Sequence, residues 1–190
     1  KVYDHALTET QVKASFQEPE QSTIAVYLDA AKLPYGSVEN WNNEGIAGGH
    51  FKADGKAPFV KDIAGRIGVQ FNGNEVLLAD TLLTSQIKKN NRYSIAAGIY
   101  RAYSQWQYIV HTYNGKTIET YIDGELKETI SIKPGDKQTT VSLNGLLKDE
   151  GFTGAISNLA VYNNVLGKDE IDGLTTVSYT HLTLPTIYSV

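Results

Sequence analysis

The chain has 190 residues, a formal net charge of -4, 41% hydrophobic and 20% charged residues, a balance that suits one folded globular domain and excludes a disordered chain. No apolar run reaches the roughly 20 residues of a membrane-spanning helix, and the mild, dispersed charge leaves no footprint for nucleic acid or an anionic membrane. With no cysteine present, disulfides, thiolate catalysis and Cys-ligated zinc are removed together, while 12 tyrosines and 17 glycines lean towards an extracellular β-protein.

In chain order, the first element is half of a repeat. Val2-Tyr3-Asp4-His5-Ala6-Leu7-Thr8-Glu9-Thr10-Gln11-Val12 aligns without gaps to Val161-Tyr162-Asn163-Asn164-Val165-Leu166-Gly167-Lys168-Asp169-Glu170-Ile171. Each copy reads as a strand end, a turn and a short helix, with Thr8 and Gln11, or Gly167 and Glu170, placed as capping boxes. Residues 1–16 are therefore expected to close a preceding domain of the same kind, with the domain proper over 17–176. The residues present include no basic start followed by an apolar stretch, so no signal peptide is expected among them.

Strands are expected over 23–29 and over 66–71, the latter ending at the turn Asn72-Gly73. Lys88, Lys89 and Arg92 form the only basic cluster, read as a solvated loop. The clearest stretch is 106–132, a three-stranded meander joined by Asn114-Gly115 and Asp123-Gly124, both suited to type I′ turns. Further strands are expected over 139–143 and 152–162, with turns at Asn144-Gly145 and Gly151. Helix is expected only after Leu7 and after Leu166. Strands punctuated at this spacing predict an all-β antiparallel sandwich and not a βαβ sheet.

The meander, from Trp106-Gln107-Tyr108-Ile109-Val110-His111-Thr112-Tyr113-Asn114-Gly115 to Thr120-Tyr121-Ile122-Asp123-Gly124, resembles the signature of laminin-G-like domains. Those are jelly rolls of the concanavalin A-like lectin/glucanase superfamily. The segment Phe152-Thr153-Gly154-Ala155-Ile156-Ser157-Asn158-Leu159-Ala160-Val161-Tyr162, with Leu166 and Glu170-Ile171, is similar to their closing block. Leu28-Asp29-Ala30, Trp41-Asn42-Asn43-Glu44-Gly45, Gly48-Gly49-His50-Phe51 and Val69-Gln70-Phe71-Asn72-Gly73 look like a bacterial subgroup carried on large secreted proteins. The resemblance implies an antiparallel jelly-roll β-sandwich. It departs from the subgroup between Tyr100 and Trp106, where five residues replace several strands, so the sandwich is expected to lack strands and to expose an edge.

Residues 177–190 are of another kind. Val177-Ser178-Tyr179-Thr180-His181-Leu182-Thr183-Leu184-Pro185-Thr186 resembles the translation of a transposase end and sequencing adapter. On that resemblance the tail is non-native and stands outside the fold, and the natural chain is expected to continue past Thr176.

No catalytic set is expected. Glu170-Ile171-Asp172 resembles the paired carboxylates of laminarinase-type glycosidases, but retaining hydrolysis needs two carboxylates about 5 Å apart, and on a helix these two point in different directions. His5, His50, His111 and His181 are scattered and offer no zinc site. Calcium is left open, since acidic loops near Asp29, Glu44 and Asp54 could supply oxygen ligands. For sugar binding, where aromatic faces stack on pyranose rings, the candidates are Trp41, Tyr100 and Tyr103. Against this, Trp41 could plug the sandwich end, and Trp106, Tyr108 and Val110 share one strand face and read as core. The function expected is a non-catalytic carbohydrate-recognition module of an exported bacterial protein, at the cell surface or beside flanking domains. The alternatives are a structural or adhesive spacer without a small ligand and, third, a degenerate glycoside hydrolase relative.

Overall fold

A computed structural model describes residues 24–87, 92–101, 105–132, 142–143 and 151–180. The described strands are β1 (Ile24–Asp29), β2 (Gly36–Ser37), β3 (Asn40–Asn42), β4 (His50–Ala53), β5 (Phe59–Ile63), β6 (Arg66–Asn72), β7 (Leu77–Ala79), β8 (Tyr93–Tyr100), β9 (Trp106–Tyr113), β10 (Thr117–Ile122), β11 (Glu125–Ser131), β12 (Ser142–Leu143) and β13 (Thr153–Tyr162). Two helices accompany them, α1 (Thr81–Ile87) and α2 (Lys168–Thr180).

The strands form two antiparallel sheets. The larger runs β11-β10-β9-β8-β13-β6-β5-β2, and the smaller β12-β7-β4-β3. β13 organises the larger sheet because its ten residues are long enough to serve three partners. One edge pairs with β8; the other pairs with β6 at Thr153 to Ile156 and with β1 at Asn158 to Tyr162. The register slips between Ile156 and Asn158, where the strand changes partner.

Alternation along these strands builds two cores. Val26, Leu28, Phe51, Val69, Phe71 and Leu77 fill the space between the sheets. The opposite face of the larger sheet carries Ala96, Tyr108, Val110, Ala160 and Tyr162, and α2 covers them with Ile171 and Leu174. A strand such as β13 is thus buried on both faces over its second half. Tyr108 and Val110 are core residues as the sequence implied, but beneath a helix and not between sheets.

The meander is present as β9, β10 and β11 in the expected order. Its second turn has positive φ at both Asp123 (52°) and Gly124 (83°), as a type I′ turn requires. The first does not. Only Gly115 has positive φ there (93°), and the Asn114 side chain accepts from the Lys116 and Thr117 N–H groups. An Asx-type cap has replaced the two-residue turn. A hairpin that went unread, β5-β6, turns on Ala64 (φ 52°) and Gly65 (φ 79°).

Helix α1 also contradicts the expectation of helix only after Leu7 and Leu166. Seven residues with two threonines give too short a pattern to signal a helix. The segment is held by Asp80, whose carboxylate accepts from the Leu83 N–H at 2.7 Å, and by Leu83, which is fully buried. The helix after Leu166 is present, and Glu170 accepts from the Gly167 N–H at 2.7 Å, the reciprocal half of the expected cap. It continues to Thr180, four residues into the segment read as non-native. The repeat copy at 1–16, the turn Asn144-Gly145 and residues 139–141 lie outside the described residues; β12 is the remainder of that last strand. Where the subgroup carries extra strands, β8 and β9 instead pair directly, Tyr100 opposite Trp106. β11 stands at the end of the sheet with all seven residues exposed.

Candidate functional site

Outside α2, the outer face of the larger sheet is uncovered among the described residues, and register decides what lies on it. Directly paired residues project to the same side of a sheet. Ser37 pairs with Phe59, Phe59 with Gln70, Gln70 with Ala155, Ala155 with Tyr100 and Tyr100 with Trp106. One row therefore crosses six strands, and since Val69 and Phe71 point into the inter-sheet core, Gln70 and the rest of the row point outward.

The row is not flat. The Trp106 indole N–H donates to the Ile63 carbonyl at 2.8 Å, linking β9 to the end of β5 across three intervening strands. This bridge requires the sheet to curl towards that face, as strongly twisted sheets do. The indole then lies over Gly68, where a Cβ would meet it at 2.8 Å, so only glycine admits the ring. Tyr100 packs on the same indole with centroids 5.5 Å apart and planes at 59°. The Arg66 guanidinium sits 5.2 Å from the ring centre, in cation–π range.

Behind the indole a polar cluster fixes Arg66. Asn158 Oδ1 accepts from Arg66 Nη2 at 3.4 Å and from the Gly98 N–H at 3.2 Å. Partial burial lowers the Arg66 pKa, opposed by Tyr108 and Asp29. Tyr108 is raised by its burial first and by Tyr27 second, so it is a neutral donor at any ordinary pH.

Ile63, whose carbonyl takes the indole bond, lines an open concavity of about 440 Å³. Lys61, Asp62, Gln70, Tyr100, Arg101 and Thr153 contribute to its lining, with Ala155 as its buried floor. Gln70 Nε2 donates to Asn72 at 3.1 Å, which orients the amide, and Asp62 accepts from the Gly65 N–H at 3.0 Å within the hairpin turn. Phe59, 51% exposed, stands beside Gln70 at the outer end. Arrays of this kind, a ring edge, an amide, a hydroxyl and an ammonium above a small floor, suit a polyhydroxylated ligand.

Of the three aromatic candidates, the structure places one here. Tyr100 lines the concavity. Trp41 does not: β3 exposes Asn40 and Asn42 and turns Trp41 inward, opposite Phe51 and 2% exposed. Little of the ring is left for a sugar, and the residue belongs to the core between the sheets. Tyr103 lies outside the described residues. Phe59, Lys61, Gln70 and Thr153 were missed, although Val69-Gln70-Phe71 carries the signal: an amide between two apolar residues of one strand projects to the opposite face.

The acidic groups are engaged elsewhere. Asp29 caps a short turn through the Ala31 N–H, and Glu44 pairs with Lys32. Among the described residues no three His, Asp or Glu side chains converge, so Asp29, Glu44 and Asp54 do not form a calcium cage. Glu170 caps α2 while Asp172 pairs with Lys168, and the two carboxylates are not on one strand face. His50 binds Asp80 at 3.0 Å. His111 contacts Thr120 at 3.0 Å, its pKa lowered by burial and by Arg101.

Residues 50–172, more than half of the chain, match the family profile described as the concanavalin A-like lectin/glucanases superfamily, laminin G type. Among solved structures, the chain is similar to domain 4 of AbnA, an extracellular arabinanase from Geobacillus stearothermophilus, in complex with arabinotriose. The TM-score is 0.59 at 11% identity, covering 80% of this chain and 98% of that domain. It is similar to the binding domain of botulinum neurotoxin serotype D/C (TM-score 0.61, 10% identity, 83% of this chain and 52% of that one). A third likeness is to Trypanosoma rangeli sialidase in complex with the inhibitor DANA (TM-score 0.54, 14% identity, 79% and 32%). At these identities the likeness is one of fold. The chain spans about half of the neurotoxin domain and a third of the sialidase. No curated protein sequence matches it.

Proposed function

Because the chain belongs to the concanavalin A-like lectin/glucanases superfamily, we propose that it is a non-catalytic carbohydrate-recognition module of a larger exported bacterial protein. The module spans 17–176, after the end of a similar domain and before a non-native tail. The observation that carries this reading is the cross-strand row, which sets the Tyr100 ring and the Gln70 amide on either side of the Ala155 floor. Stacking on an aromatic ring and hydrogen bonds from an amide are how a protein site holds a sugar without reacting with it. The arabinotriose complex of the similar arabinanase domain supports the same ligand class. No described helix is long and apolar enough to cross a membrane, and an extracellular or cell-surface setting is part of the proposal.

The 59° tilt between Tyr100 and Trp106 favours a second reading, a spacer or adhesive domain, because it offers no continuous aromatic platform. Glycan-array and polysaccharide-retention measurements on the full chain separate the two. Binding that Tyr100→Ala weakens about tenfold or more, the loss of about 1.5 kcal/mol of stacking, supports recognition. Binding untouched by Tyr100→Ala moves the site elsewhere, and no binding to any glycan favours the spacer.

A further inference from the structure

We infer that the ligand of this concavity is an anionic glycan, one whose sugar rings carry a carboxylate or sulfate group. The inference rests on the carbohydrate reading above and adds the charge of the ligand.

The charges around the concavity are unbalanced. Lys61 lies on the same face of β5 as Phe59 and Ile63, is exposed, and has no ion pair among the described residues. Arg101, at the end of β8, is the second cation of the lining and is exposed. Its guanidinium presents five donors to an anion. The single carboxylate in the lining is Asp62, whose Oδ1 is held by the Gly65 N–H. Two cations against one carboxylate in the lining set a positive potential that an anion would lower.

The geometry also says where the anion would sit. The 2.8 Å bond from the Trp106 indole to the Ile63 carbonyl draws β5 and β9 together until one indole spans the gap. Tyr100 and Lys61 both line the concavity, with Gln70 and Ala155 between β5 and β8. A ring stacked on Tyr100 would direct an equatorial substituent on it or on the next ring towards Lys61. Lys61 acts as a point charge and does not by geometry choose carboxylate over sulfate.

The test uses the full chain in affinity electrophoresis against matched pairs: polygalacturonate with its methyl-esterified form, and dextran sulfate with dextran. Each pair differs in charge while sharing a backbone. The expected result is retention by at least one charged polymer about tenfold stronger than by its neutral twin, the scale of one charge-assisted hydrogen bond. That advantage should shrink with added NaCl and with Lys61→Gln, and should survive Lys61→Arg. Whether polygalacturonate or dextran sulfate is preferred identifies carboxylate or sulfate as the source. Equal retention of charged and neutral twins, or a charge preference that Lys61→Gln leaves intact, overturns the inference while the carbohydrate reading stands. If neither these polymers nor any glycan on the array is retained, the carbohydrate reading itself falls. Unchanged circular dichroism of the exposed Lys61 variants excludes misfolding as the cause.

Discussion

The two halves of one sheet face are finished differently. Under α2, the outward positions of β8, β9 and β13 are Ala96, Tyr108, Val110, Ala160 and Tyr162, sealed by Leu166 and Ile171. A few residues along the same strands, the outward positions become Gly98, Tyr100, Trp106, Asn158 and Ala155, and among the described residues no helix lies over them. The covered half is stabilised by burial of apolar area, which needs no orientation. The open half is held by directed contacts: an indole N–H on a carbonyl, a guanidinium on an indole, an amide oxygen shared by two donors. The open half keeps its shape without being covered by fastening strands across the curl of the sheet.

The largest test of that contrast is Trp106→Ala. It removes a ring that is 8% exposed together with the bridge to Ile63, and aromatic-to-alanine changes in such positions cost about 4 kcal/mol. Urea denaturation should show this loss together with loss of ligand retention. A variant that unfolds normally at little cost would mean that the bridge does not hold the concavity. Next comes Ile171→Ala on α2, where a fully buried side chain gives way to a cavity at a cost of about 3 kcal/mol. Here retention by the folded fraction should persist, because nothing at the open half touches Ile171. If both variants lose stability and binding together, the two halves are not separable and the contrast fails.

The sequence made the covered half more legible than the open one. Tyr108 and Val110 at alternate positions, the Asp123-Gly124 turn and the Gly167 to Glu170 cap are local signals, each readable within ten residues. The open half is assembled from partners far apart in the chain: Trp106 and Ile63 are separated by 43 positions, Arg66 and Asn158 by 92. No local period announces such pairs. Trp41 shows the reverse error. Its neighbours Asn40, Asn42 and Asn43 resemble a polar loop, yet a three-residue strand alternates, and the middle residue goes inward. Asn43 explains the polar run: its amide accepts from the Tyr27 and Gly45 N–H groups and donates to the Ala25 and Gly48 carbonyls. It ties a loop to β1 with both ends of its amide engaged. β2, β3, β4, β5 and β7, two to five residues each, fell below the length at which alternation can be told from chance.

Acid gives the smallest of the three effects and sharpens the contrast without altering packing. Glu75, 1% exposed, follows β6 at the open half, accepting from the Asn72 N–H at 2.6 Å and pairing with Lys56 at 2.7 Å. Burial alone would push its carboxyl up, but the Lys56 ammonium and the Asn72 backbone outweigh it and bring it from 4.5 down to about 2. A carboxyl whose folded pKa lies below its unfolded one binds its proton more readily in the unfolded chain. Its contribution is therefore complete above pH 4.5 and lost as pH falls towards about 2. Because Lys56 is two-thirds exposed, solvent reduces the effect to about 2 kcal/mol. Glu75→Gln should flatten the fall in unfolding free energy across that window, measured against the parent chain, and the residual slope belongs to other carboxyls such as Asp80. In the covered half the cluster around Ile171 contains no carboxyl, and the Glu170 cap lies at the exposed first turn, so hydrogen exchange in α2 beyond that turn should respond to acid later than exchange in the Asn72 to Glu75 turn. Simultaneous loss of protection in both would show that the sheet face unfolds as one unit.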